Sequence, residues 1–263
     1  MNLLNNGNDI AIEFVDVSKS YTNLERSALD EVSFQIKKGE FITILGASGS
    51  GKTTILKLMN QLIKQDKGDI LYFGDNIQNQ NIIDLRRHIG YVVQEIGLFS
   101  HMTVAENIAI VPELLKWDQV RIDKRVDEMM SLIRLDAEQY RDAYPRQLSG
   151  GQQQRVGVAR ALAADPMTIL LDEPFGALDA ITRGELQQEL KNIHMSLSNR
   201  TFVLITHDIN EAILLGNRVM VVNNGKLEQF AEPYEILHAP QTDYVRSLIE
   251  TARIQYDLWS DLT

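Results

Sequence analysis

The sequence predicts an α/β protein: a mostly parallel sheet, a small antiparallel sheet at its N-terminal end, and a helical lobe inserted in it. Three observations predict this class. Apolar runs alternate with helical patterns, as crossover-connected parallel strands require. Phe41 to Leu45, Thr168 to Leu171 and Thr201 to Ile205 are nearly unbroken apolar runs, the pattern of strands covered on both faces. Met102 to Leu135 carries helical spacing and no strand candidate.

Taken in order, Ile10 to Val17 and Val32 to Ile36 alternate apolar and polar residues, as half-buried antiparallel strands do. After the buried strand Phe41 to Leu45, a helix is expected over Lys52 to Leu62, with Ile55, Leu56, Met59 and Leu62 at helical spacing. The helical middle is expected to be interrupted at Pro112. Further helices are expected over Gln152 to Ala164 and Thr182 to Leu197. Asn224-Gly225, between Val219–Val222 and Leu227–Phe230, is a strong hairpin signal. With no repeat and no linker-like stretch, residues 1–263 read as one domain, with the lobe at about 97–158 and a helical tail at 240–263.

Composition excludes several classes. The chain has 263 residues, 44% hydrophobic and 24% charged, and can bury one sizeable core. It has no cysteine, hence no disulfide framework or thiolate metal site, which fits a reducing compartment. Residues 1–9 lack the zones of a signal peptide, and no stretch of about 18 apolar residues offers a membrane span. A formal charge of −10 argues against a nucleic-acid partner, which needs a basic face.

Gly46-Ala47-Ser48-Gly49-Ser50-Gly51-Lys52-Thr53 matches G-x-x-x-x-G-K-[ST], between a buried strand and an amphipathic helix. Glycines let the backbone curl so that its N–H groups face an anion, and the helix N-terminus adds positive dipole. In this reading Lys52 meets the β- and γ-phosphates of a nucleotide and Thr53 offers a hydroxyl to Mg²⁺, with Thr54 next in the cradle. The motif alone does not separate a kinase, a GTPase and a motor. The strand Thr168 to Leu171 runs into Asp172 and Glu173. Asp172 is placed to hold Mg²⁺ through water, and Glu173 to polarise an attacking water as general base.

Leu148-Ser149-Gly150-Gly151-Gln152 also precedes a helix, so its amides and the serine hydroxyl form a second anion site. That site could serve the nucleotide of its own chain or of another subunit. The segment resembles the signature sequence of ABC ATPases, a likeness that covers essentially the whole chain. It implies a P-loop NTPase (RecA-like) core, ATP and Mg²⁺ as cofactors, and two chains packed head to tail around two ATP molecules. By the same resemblance Tyr21 stacks on adenine, Gln94 links Mg²⁺ to the helical lobe, and Asp179, in Ala177-Leu178-Asp179, shapes the dimer seam. His207 is similar to the switch histidine that contacts the γ-phosphate and orients the water. His88, His101, His194 and His238 fit no metal spacing.

The resemblance extends to a coupling surface. Glu95 to Ser100, with the helical stretch through Trp117, would form a groove for a short cytoplasmic helix of a permease, though each apolar residue there, Leu98 and Phe99 included, is equally open to a core role. The segments Gly74 to Gln94, Gln94 to Asn107, Ile110 to Leu115 and Glu232 to Leu237 are similar to the import ATPases for quaternary-amine osmoprotectants. That likeness implies permease subunits with an extracytoplasmic substrate-binding protein or domain, and a place on the cytoplasmic face of the membrane. Many such ATPases carry regulatory nucleotide-sensing modules after the ATPase, and Thr263 falls before any, leaving open whether they are absent or removed. An importer for another small solute, such as an amino acid or polyamine, is the alternative. Rival classes are a mechanical ABC ATPase of DNA repair or translation, a sensing module without turnover, and a small-molecule kinase. The first usually has two cassettes, a coiled coil or zinc-type cysteines. Lys52, Glu173 and His207 speak against the second, and the signature segment has no purpose in the third.

Overall fold

The computed structural model describes residues 9–22, 26–94, 97–176 and 178–260. The chain begins with strands β1 (Ile10–Lys19), β2 (Leu29–Lys37) and β3 (Phe41–Leu45), then helix α1 (Lys52–Met59). Strands β4 (Lys67–Tyr72) and β5 (Asp75–Asn76) and helix α2 (Ile82–Arg87) follow. Its middle holds β6 (Ile89–Val92), α3 (Val104–Leu114), α4 (Gln119–Leu132), α5 (Ala137–Tyr140) and α6 (Gly150–Leu162). Then come β7 (Thr168–Asp172) and α7 (Ala180–Ser196). It closes with β8 (Thr201–Thr206), α8 (Ile209–Leu215), β9 (Arg218–Asn223), β10 (Lys226–Ala231), α9 (Pro233–His238) and α10 (Asp243–Ser260).

The chain divides into two units, residues 1–85 with 201–263, and residues 86–200. In the first, an antiparallel sheet runs β2-β1-β4-β5. A second set of strands runs β10-β9-β3-β8, where β3 pairs parallel with both β8 and β9 and β10 pairs antiparallel with β9. Every residue of β3 and β8 is buried, as their unbroken apolar runs predict. Burying an Ile, Leu or Phe side chain contributes about 1.5–3 kcal/mol, so these strands fix whatever leaves their C-terminal ends. In the second unit β6 pairs parallel with β7, Ile89 opposite Thr168, and helices α3 and α4 pack with α6. The fold is α/β of the P-loop NTPase kind, with its antiparallel and parallel-rich sheets.

Two expectations need correction. Helix α1 ends at Met59 rather than Leu62, because Gln61 adopts φ 53° and reverses the chain. Gln61 N donates to Leu58 O at 3.1 Å and Leu62 N to Lys57 O at 2.8 Å, a Schellman ending without the usual glycine. Pro112 does not interrupt the helical stretch but lies inside α3. It sits two residues from that helix's end, where the missing N–H removes only one late bond. The hairpin expectation holds: Asn224 and Gly225 carry φ 50° and 77°, the two positive angles of a type I′ turn. No helix among the described residues is long and apolar enough to cross a membrane.

Candidate functional site

In the first unit, the loop 46–51 leaves buried β3 and enters α1. Gly51 has φ 110°, and a Cβ there would stand 2.6 Å from Ala28 O. At Gly46 a Cβ would meet Val222 O at 2.2 Å. Only glycine fits such close backbone approaches, so the curl of the loop is built into the sequence. Gly51 is the N-cap of α1 and supplies no side-chain cap, so side-chain capping consumes none of the first-turn amides. Lys52 is buried, its Nζ donating to Gly46 O at 2.8 Å and Ala47 O at 2.9 Å. The buried Ser50 hydroxyl has no hydrogen-bond partner among the described residues. A cationic, amide-lined cradle with an orphaned hydroxyl is suited to a polyphosphate.

Two contacts bracing this loop were not legible in the sequence. The hairpin turn donates from Gly225 N to Ser50 O at 2.9 Å, and Tyr244 of α10 accepts from Ala47 N at 3.2 Å. Their partners lie far apart in the chain, and no local pattern announces them. His207 follows β8 and is exposed. Tyr21 follows β1, half-buried, with Lys19 Nζ 5.9 Å from its ring centroid.

In the second unit, Asp172 closes β7 and is buried. From the paired strand β6, the Tyr91 hydroxyl donates to Asp172 Oδ2 at 3.3 Å. Burial pushes the Tyr91 phenol far above its ordinary value, with the Asp172 charge and bond adding to the shift. Tyr91 therefore stays a donor at any physiological pH, a role the sequence reading missed. Glu173 has φ 45°, a left-handed angle costing about 1–3 kcal/mol in a non-glycine residue and typical of functional turns. Gln94 Nε2 donates to Glu173 Oε2 at 3.3 Å. Two of the predicted site residues are thus brought together.

The same unit holds the signature segment. Ser149 caps α6, accepting from Gln152 N at 3.3 Å, while Ser149 N donates to Gln152 Oε1 at 2.9 Å. This is a capping box. Ser149 and Gly150 are exposed, whereas Gly151 is buried, its missing Cβ leaving room for Thr182 Cγ2, 2.4 Å from where it would stand. Asp179 caps α7, accepting from Ile181 N and Thr182 N, each at 3.1 Å. Hydrogen bonds, first from the Thr182 side chain and then from its amide, hold the Asp179 carboxyl below the usual range. Ala177 lies outside the described residues.

A groove of about 370 Å³ opens in this unit, lined among others by Arg86, Arg87, Phe99, Val111, Leu114 and Arg160. Phe99 is 42% exposed and Leu114 71%, so neither is core. Fully buried Asn107 organises the preceding loop: its Nδ2 donates to Phe99 O, Met102 O and Thr103 O at 2.9–3.1 Å, and its Oδ1 accepts from Phe99 N at 2.8 Å. Glu95 and Ile96 lie outside the described residues.

Comparison with known proteins places this geometry. Residues 29–176 match the family described as "ABC transporter". The chain is 47% identical to the glycine betaine uptake system ATP-binding protein YehX of Escherichia coli (strain K12), over 95% of its own length and 80% of that protein's. It is 47% identical to the glycine betaine/carnitine/choline transport ATP-binding protein OpuCA of Bacillus subtilis (strain 168), over 92% of its length but 63% of that protein's. It therefore spans less than two thirds of the second relative. Among solved structures, it superposes on cbiO1 of Clostridium perfringens, part of the ABC transporter complex cbiONQ, with a TM-score of 0.81 at 28% identity. That match covers 95% of this chain and 99% of the other. It also matches the dimeric ATP-binding cassette MJ0796 in a post-hydrolysis state with ADP and Pi, with a TM-score of 0.74 at 34% identity, over 84% of this chain and 98% of the other. The chain belongs to the ABC transporter family. Within it, the chain is an ATP-binding cassette of the ATP-hydrolysing kind.

Proposed function

We propose that this chain is the ATP-hydrolysing subunit of an importer for a quaternary-amine osmoprotectant, working as a head-to-tail pair on a separate permease at the cytoplasmic membrane face. The observation that carries the reading is the pair of helix N-termini: one without a side-chain cap behind Gly46–Lys52, and one at Ser149–Gly151 whose Ser149 and Gly150 are exposed. Each is an anion site made of backbone amides. In the pair, Lys52's loop in one copy holds the β- and γ-phosphates, and Ser149, Gly150, Gly151 and Gln152 of its twin close over the γ-phosphate. Closure follows because these contacts exist only in the dimer.

Thr53, Asp172 and Gln94 would hold the Mg²⁺ of MgATP, an all-oxygen donor set suited to that hard cation. Bound there, the ion would neutralise charge on the phosphates. Tyr91 keeps the Asp172 carboxylate aimed by donating to it. Glu173 takes a proton from the attacking water as its oxygen bonds to the γ-phosphorus and the bond to the ADP oxygen breaks. His207 orients that water, Tyr21 stacks on adenine, and Asp179, by capping α7, fixes the start of a helix at the dimer seam.

The groove at Phe99 and Leu114 is read as the seat of a permease helix, since both side chains are exposed and apolar and the loop that carries Phe99 is fixed by buried Asn107. The osmoprotectant rests on likeness to YehX and OpuCA, whose names carry glycine betaine. A net charge of −10 favours no nucleic-acid partner. The test is uptake of labelled glycine betaine by cells carrying this chain with the permease that co-purifies with it. Uptake that requires ATP hydrolysis supports the reading; transport of an unrelated solute would reassign the cargo.

A further inference from the structure

We infer that Tyr244 is a positioning residue for the phosphate loop, fixing the junction of β3 and the loop from the C-terminal helix. Ala47 is gripped on both sides: its N–H donates to the Tyr244 hydroxyl at 3.2 Å, and its carbonyl accepts from Lys52 Nζ at 2.9 Å. The lysine that meets the nucleotide and the tyrosine thus share one residue. Ala47, Ser48 and Gly49 are exposed, so hydrogen bonds rather than packing hold this part of the loop. Lys52 Nζ and Ser50 N, the latter at 3.2 Å, hold the Ala47 carbonyl, and Tyr244 holds its N–H from outside the loop.

Tyr244 can provide it because α10 is itself anchored. Val245 and Ile249 are buried in a cluster with Leu45, Ala212 and Val221, and Tyr244 packs against that cluster. Leu45 is the last residue of β3, so the strand that launches the loop and the helix that tethers it share one core. The same face of α10, through Tyr244, Ser247, Leu248 and Thr251, lines a cavity of about 330 Å³ with His207 and Asp208. Tyr244 thus borders, beside the loop it holds, the cavity that also reaches the proposed switch histidine and Asp208, the N-cap of α8. Its hydroxyl fixes the Ala47 N–H, the side of the residue that the bonds from Lys52 and Ser50 do not reach, and without it part of the loop's ordering falls to the binding step.

This inference rests on the proposed MgATP site. The experiment compares the chain with its Tyr244→Phe variant in MgATP binding, steady-state hydrolysis and thermal unfolding, with Tyr234→Phe as a control. Tyr234 is exposed and stacks on His238, away from the loop. The phenylalanine keeps the ring and its packing and removes only the hydroxyl. The Kd and KM for MgATP should rise about three- to tenfold, the worth of one hydrogen bond, with kcat within about twofold and an unchanged unfolding midpoint. Unchanged or tighter MgATP binding in Tyr244→Phe overturns the tether, as does weaker binding accompanied by a lowered midpoint. If the parent chain binds no MgATP, the site reading itself fails and takes the tether with it.

Discussion

The phosphate loop and the signature segment are both glycine-rich turns ahead of a helix, yet the fold treats them oppositely. The phosphate loop is braced from outside: the Gly225 turn holds Ser50, Tyr244 holds Ala47, and Lys52 is folded onto its carbonyls. Its helix has no side-chain cap, so amides remain for a ligand. The signature segment braces itself, spending its Ser149 hydroxyl on Gln152 N and leaving Ser149 and Gly150 exposed. In the proposed function the first is a preformed site, and the second is a surface whose capping bond, long at 3.3 Å, is traded for an anion presented from outside.

This contrast predicts unequal responses to substitution. Gly51→Ala strikes the braced loop, where φ is 110° and the added Cβ would stand 2.6 Å from a backbone oxygen. MgATP binding, followed by titration, should weaken about a hundredfold or more, since backbone strain and overpacking add to several kcal/mol. Binding near the parent's would break the view that glycine is sterically required there.

Ser149→Ala separates the two regions more sharply. The isolated chain should still bind MgATP with its parental Kd, because the phosphate loop is untouched. Helix α6 loses its cap at about 1 kcal/mol of stability, read in thermal unfolding. ATP-dependent association and hydrolysis should fall about tenfold, the loss of one hydrogen bond to a charged group. A weakened monomer Kd would mean that the segment serves its own chain's nucleotide.

The smallest effect on hydrolysis is expected at Phe99→Ala, far from either turn in role. Hydrolysis by the isolated chain should stay within about twofold of the parent, because removal of a 42% exposed ring leaves little cavity. Transport by the assembled system should nevertheless collapse. Parallel loss of hydrolysis and of folded protein would make Phe99 structural instead.

The sequence made the motifs legible and their supports illegible. G-x-x-x-x-G-K-T, the apolar run into Asp172-Glu173 and Asn224-Gly225 each carry local chemistry that a single chain displays. Gly225 as a buttress, Tyr244 as a tether and Tyr91 as a donor to Asp172 arise from pairings across long sequence separations, which no local period encodes. Asn107 was visible only as a letter in a resembling segment, although its four hydrogen bonds shape the loop that carries Phe99. Boundaries slipped where a residue acts against type: Gln61 takes the left-handed angle a glycine would announce, and Pro112 is tolerated in a last turn.

One measurement bears most directly on the shared-nucleotide claim. Glu173→Gln keeps the site's shape and removes the base, so hydrolysis should drop about 10²–10⁴-fold while MgATP remains bound. Analytical ultracentrifugation of this variant should show a dimer with MgATP and a monomer without nucleotide. A variant that binds MgATP yet stays monomeric at every concentration would contradict the account.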